Sequence, residues 1–277
     1  MPIRTFYHHS CKSADIHNSE PLLNWLVLSA IFCRNTRIDC SRQMTLQVRV
    51  SNASPPQPGQ PESMYLKPDG YFSCTRRELI PLVPLTARRI LDVGCAEGGF
   101  ARSLRAARTG SQLEIVGVES CETAAEIATT AVDRLFVGNI EKLELGHESY
   151  FDCVIFADVL EHLYDPWKML RRARTLLQRN GTVVASIPNV QHWSVLANLF
   201  RGHWEYTEYG IMDRTHLRFF TKRSISDLFT STGFKIHMIT ALAGTTTRGK
   251  IALTATAGLL APFLARQYLV VAGPSAN

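Results

Sequence analysis

The chain has 277 residues, enough for one large α/β domain with an extension and too few for two full domains. Hydrophobic residues make up 45% and charged residues 19%, ordinary for a protein that buries a substantial core. The formal net charge of +6 is uneven: residues 1 to 60 hold six Arg/Lys against three Asp/Glu, and the remainder is close to balance at 24 against 21. No clustered basic stripe is left to neutralise phosphates, so a nucleic-acid partner is not expected.

The seven cysteines include no CxxC pair, which argues against a zinc or disulfide framework and for reduced thiols in a cytoplasmic protein. The apolar run at 22–33 is too short to span a bilayer, and Pro262, Arg266 and Gln267 interrupt the longer one at 251–272. No transmembrane segment is expected, and peripheral membrane contact is left open. The stretch SNASPPQPGQPES (51–63) cannot bury enough apolar surface to order itself. Residues 1–63 therefore read as a poorly ordered N-terminal extension with a Pro-rich linker, and 64–277 as the folded domain.

Beyond the linker, strand and helix patterns alternate, as βαβ units of a doubly wound α/β fold require. In chain order the pattern predicts a strand at 88–93, a helix at 99–108, a strand at 113–118, a helix at 122–130 and a strand at 134–138. A strand at 151–157, a helix at 166–177 and a strand at 181–188 follow, then a helix at 222–231, a strand at 233–239 and a last strand, QYLVVA, at 267–272. Short runs rich in β-branched residues suit strands buried on both faces. The aromatic-rich stretch at about 190–220 reads as an insertion covering a substrate, or else as the packing of a long connection.

The most specific segment is ILDVGCAEGGF (90–100), an apolar strand ending in Asp92 that turns through Gly94, Cys95 and Ala96 into a helix. Such a turn lets a ligand approach the backbone where free N–H groups point outward. Ala96 stands where a dinucleotide fold has its second glycine, which disfavours a pyrophosphate and an NAD-dependent reaction. Twenty-five residues after Gly94 the second strand ends at Glu119, whose carboxylate can accept both hydroxyls of a ribose or cap the next helix.

With these residues the chain resembles class I S-adenosylmethionine (SAM) dependent methyltransferases, in particular small-molecule and glycan methyltransferases related to the quinone-biosynthesis O-methyltransferases. The resemblance runs from about Tyr65 to Pro274 and rests on LDVGCAEGGF, GVE, FDCVIFADVLEHLYDP (151–166) and the pair SIPNVQHW (186–193) with DRTHLRFFTKRSI (213–225). It implies a Rossmann-like seven-stranded sheet with helices on both faces and QYLVVA inserted antiparallel. It further implies that Asp92 and the turn Gly94, Cys95 and Ala96 hold the methionine part of SAM, and that Glu119 holds its ribose. By the same likeness Asn139 sits near the adenine amino group, the Ala157 carbonyl meets the SAM ammonium, and Asp158 stands beside the methyl-transfer cleft.

His162, His192 and His216 are the candidate general bases, each able to titrate near neutral pH, with His162 ranked first; the competing reading for each is a structural histidine. A Glu/His metal site is set below these, and no metal is expected. The acceptor implied is an oxygen of a small molecule, lipid-linked precursor or sugar. Protein or nucleic-acid methylation and a silent SAM-binding module are the alternatives.

Overall fold

The structure, a computed structural model, describes residues 71–243 and 260–275. The extension and linker expected at 1–63 lie outside the described residues. The elements run β1 (Arg89–Val93), α1 (Gly99–Ala107), β2 (Glu114–Glu119), α2 (Glu122–Ala128), β3 (Arg134–Val137), β4 (Phe151–Ala157), α3 (Pro166–Leu176) and β5 (Leu177–Pro188). They continue with α4 (Trp193–Phe200), α5 (Lys222–Ser231), β6 (Phe234–Ala243), the single turn α6 (Ala261–Leu264) and β7 (Ala265–Pro274).

The strands form one sheet in the order β3-β2-β1-β4-β5-β7-β6. β1 to β5 pair in parallel, and β7 lies antiparallel between β5 and β6, as the resemblance implied. Side chains alternate across each strand, so the sheet buries two faces. On one, Leu91, Val93, Val116, Val154, Phe156 and Val183 pack with Met169 and Leu170 of α3 and Leu228 and Phe229 of α5. On the other, Ile90, Ile115, Ile155 and Val184 pack with Phe100 and Leu104 of α1 and with Leu79 of a 3-10 helix at Arg77–Leu82.

Local chemistry sets the helix starts. Asp165 caps α3 by accepting from the Lys168 N–H at 2.8 Å, with Pro166 in the first turn where its missing N–H costs nothing. Thr221 and Ser224 form a capping box on α5. Arg172 of α3 donates to the carbonyls of Ile140 (2.7 Å) and Leu143, tying the loop after β3 to the core.

Three strands outrun their expected boundaries: β6 continues to Ala243 and not 239, β7 covers Ala265–Pro274 and not 267–272, and β5 begins early. β5 starts at Leu177 and not at 181, because Leu177 pairs with Phe151 and the ladder resumes at Cys153–Thr182 after an irregularity. The polar residues Gln178 to Asn180 look like a turn in sequence and are carried by pairing across that irregularity. Within the stretch at 190–220, residues 193–200 form a helix, α4, capped by His192.

Phe156 is fully buried in the central β4. Phe156→Ala should lower unfolding stability by about 3–5 kcal/mol, read as a fall in the denaturation midpoint, because little around it can collapse into the gap.

Candidate active site

Registry places the site. Val93 of β1 lies level with Val118 of β2 and with Phe156 of β4. The residues that follow, Gly94, Glu119 and Ala157, leave the sheet side by side at its carboxyl edge, where the strand order reverses and ligands of open α/β sheets bind. The Gly94 and Cys95 N–H groups both donate to the Val118 carbonyl, at 2.8 and 3.0 Å. Gly94 has φ +69°, and a Cβ there would stand 2.7 Å from a Val159 methyl. Ala96 is itself left-handed at φ 50°, and its N–H donates to Glu119 Oε2 at 2.8 Å. Glu119 Oε1 accepts from the N–H groups of Ser120 and Cys121, both at 2.8 Å. One carboxylate thus ties the turn that leads into α2 to the glycine turn.

These residues border a cleft of about 1090 Å³, and so do Asp92, Asn139, Ala157, Asp158, His162 and His216. Asp92 is buried, its Oδ2 has no partner, and burial with the Glu119 charge beside it pushes its carboxyl up to about 7. The Asn139 Oδ1 accepts from Glu141 N–H at 2.8 Å and so shapes the loop after β3. Asp158, with φ 56°, is ion-paired to Arg76 and accepts from Ser186 Oγ at 2.7 Å and from Gln267 Nε2. It works as a clamp between β4, β5, β7 and the segment before β1. That segment lies on the glycine turn: Glu97 N–H donates to the Phe72 carbonyl at 3.3 Å, and a Cβ on Gly99 would meet the Cys74 carbonyl at 2.6 Å. Arg76 and Gln267 carry no local signal in the sequence, since both matter through contacts far along the chain.

The three histidines part company. His192 is 5% exposed and caps α4, its Nδ1 accepting from Ser194 N–H at 3.3 Å; burial and then the Arg266 charge lower its pKa. It does not border the cleft, so its expected role as a base gives way to the cap. His162, in a 3-10 turn at Leu160–His162, puts Nδ1 3.1 Å from both the Thr215 carbonyl and Thr215 Oγ1. A carbonyl can only accept, so the proton sits on Nδ1 and Nε2 carries the basic lone pair. Thr215 Oγ1 donates in turn to Asp213 Oδ1 at 2.8 Å, an orienting chain that the sequence did not reveal. His216 Nδ1 donates to the Ile211 carbonyl at 3.0 Å, and its ring stands edge-on to His162 at 4.7 Å.

Glu161 is 1% exposed, and neither carboxyl oxygen has a hydrogen bond. Burial, then the Asp158 charge, raise its pKa well above the usual carboxylate range. His216 Nε2 stands 3.9 Å from its Oε1. Ligand atoms of Glu161, His162 and His216 lie within 4.8 Å of one another, a set able to hold a divalent cation.

Residues 63–239 match the methyltransferase domain family. The chain belongs to that family. It is a class I, SAM-dependent member, as the seven-stranded sheet with its single antiparallel strand also shows. Among relatives, a ubiquinone biosynthesis O-methyltransferase of Albidiferax ferrireducens is 30% identical over 115 residues, covering 39% of this chain and 44% of that protein. One from Azorhizobium caulinodans is 34% identical over 114 residues, covering 39% and 43%. The chain therefore matches less than half the length of these curated relatives. A SAM-dependent methyltransferase structure from Archaeoglobus fulgidus superposes with a TM-score of 0.52 at 20% identity, covering 71% of this chain and 90% of that one. One from Thermotoga maritima gives 0.51 at 18%, covering 73% and 89%.

The residues present fit SAM. A buried carboxylate oxygen without a partner, Asp92 Oδ2, suits a cationic amino group, and the missing Cβ at Gly94 leaves room for close approach to backbone.

Two outcomes follow. Glu119→Ala should weaken SAM binding about 10- to 100-fold in calorimetry, since a hydrogen bond to a charged group is worth about 1.5–3 kcal/mol; unchanged affinity would remove Glu119 from the ribose. For Asp92 the folded carboxyl, at about 7, lies above its unfolded value of 3.8, so ionising it costs the empty protein stability as pH rises from 3.8 through 7. An incoming ammonium favours the ionised form. SAM affinity should therefore rise about tenfold per pH unit below 7 and level off above it, and Asp92→Asn should flatten the profile.

Proposed function

We propose that the protein transfers the methyl group of SAM to an oxygen of a small molecule, a lipid-linked precursor or a sugar. The observation that carries this is His162, on the cleft wall beside the turn after β4, with Nδ1 committed to Thr215 and thence to Asp213. Bound SAM supplies an activated sulfonium methyl, so little covalent chemistry is asked of the chain itself. Asp92, the Gly94 to Ala96 turn, Glu119 and Asn139 hold the donor along the carboxyl edge, with the Ala157 carbonyl toward its ammonium. His162 Nε2 accepts the acceptor's hydroxyl proton, and Thr215 and Asp213 stabilise the imidazolium that results. Holding oxygen and methyl in line can contribute up to about 7–11 kcal/mol, against about 10²- to 10⁴-fold for the base.

A second reading of the same groups is favoured by Glu161, whose buried oxygens make no hydrogen bond. Glu161, His162 and His216 would then hold a divalent cation that lowers the pKa of the acceptor hydroxyl. Calorimetry with Zn²⁺ or Mn²⁺ tests it, and binding that survives Glu161→Gln would sink it. Among the described residues no helix is long and apolar enough to cross a membrane, and the thiols of Cys74, Cys95, Cys121 and Cys153 are unbridged. A cytoplasmic location belongs to this reading.

His162→Ala should lower methyl transfer from radiolabelled SAM about 10²- to 10⁴-fold while leaving SAM affinity within about twofold. Full activity would remove His162 as the base. SAM binding without transfer to any oxygen acceptor would favour a silent module.

A further inference from the structure

A second chamber of about 250 Å³ adjoins the cleft, and Tyr209, Gly210, Ile211 and Arg266 border both. Neither donor binding nor proton removal uses it. Val195 of α4 and Trp204, Tyr209 and Met212 of the following loop form its apolar and aromatic side, and its polar side includes Asn198 and the pair His203 and Glu205, 3.4 Å apart. Tyr209 is exposed and Trp204 half-exposed, the latter edge-on to Phe219 at 5.4 Å, so both rings offer an open face to a flat partner.

Arg266 stands at the join, and its main chain is held firmly. Asn189 N–H donates to the Arg266 carbonyl at 3.0 Å, and the buried Asn189 amide donates to the carbonyls of Ala265 and Pro262, both at 2.7 Å. The neighbour in sequence, Gln267, reaches Asp158 at the methyl-transfer end of the cleft. Other guanidinium groups near the cleft are engaged: Arg76 with Asp158, Arg214 with Glu208, and Arg218 with the Tyr164 carbonyl. Among the described residues no carboxylate pairs with Arg266, and its field is felt at His192. An exposed guanidinium carried on firmly held backbone, beside a partly apolar chamber, is suited to a carboxylate or phosphate, which its planar fork can bind in bidentate fashion.

We infer that the methyl acceptor is an anionic aromatic or apolar molecule, its acidic group held by Arg266 and its flat body seated in the chamber beside Trp204 and Tyr209. This rests on the methyltransferase reading and narrows its acceptor class. Arg266 is then a specificity-determining residue. It selects the acceptor and takes no part in holding the donor.

Calorimetry on the full chain saturated with S-adenosylhomocysteine tests it, with 3,4-dihydroxybenzoate as the acidic probe, its methyl ester as the neutral match, and phenyl phosphate to tell a phosphate from a carboxylate. At least one acidic probe should bind tenfold or more tightly than the ester. Arg266→Ala should erase that preference, Arg266→Lys should restore part of it, and S-adenosylhomocysteine affinity should be the same in all three proteins. Equal binding of acid and ester, a preference that survives Arg266→Ala, or binding of no probe would overturn the inference. Failure of the methyltransferase reading would show separately, as absence of S-adenosylhomocysteine binding in the unaltered protein.

Discussion

The site depends on one constraint, the parallel pairing of β1 between β2 and β4. Because Val93 is level with both Val118 and Phe156, three strands end at the same height, and Gly94, Glu119 and Ala157 emerge together. A shift of one residue in either pairing would turn alternate side chains to the opposite face and carry Glu119 away from the Ala96 N–H. The two-faced core makes such a shift costly, since it would move Leu91, Val93, Val116 and Val118 out of their packing. Burial of the sheet is therefore what positions the turn, and the turn in turn positions Glu119.

Electrostatics gives the cleft its readiness. Asp92, Glu119, Glu161 and Asp213 are all buried around it, with Asp158 partly so. Glu119 is satisfied by three N–H groups, Asp158 by Arg76, Ser186 and Gln267, and Asp213 by Thr215. Asp92 Oδ2 and both Glu161 oxygens are left without hydrogen bonds. Unpaired buried carboxyls cost the empty protein stability, and that cost is relieved when a cation or a proton arrives. One of these groups, Asp92, lies at the glycine turn and the other, Glu161, beside the histidines.

Much of this was legible in the chain. Strand runs, glycine turn and terminal carboxylate can be read because each depends on neighbours in sequence: β-branched runs, positive φ at Gly94 and the spacing to Glu119. The histidines were ambiguous for the converse reason. His162, His192 and His216 look alike in one dimension, and only packing makes His192 a helix cap while placing His162 edge-on to His216. Arg76 and Gln267 were silent, because the Asp158 they hold lies 82 and 109 positions away.

The sequence by itself determined the alternation of elements, the glycine turn after β1 and the residue types around it, since these follow from local propensity and hydrophobic period. The tertiary structure alone decided the partners. It set the hydrogen-bond partners of each cleft histidine, which carboxyls make no hydrogen bond, and which arginine borders the chamber. Those properties depend on desolvation and on contacts between residues distant in the chain, and neither is written in any local run of side chains.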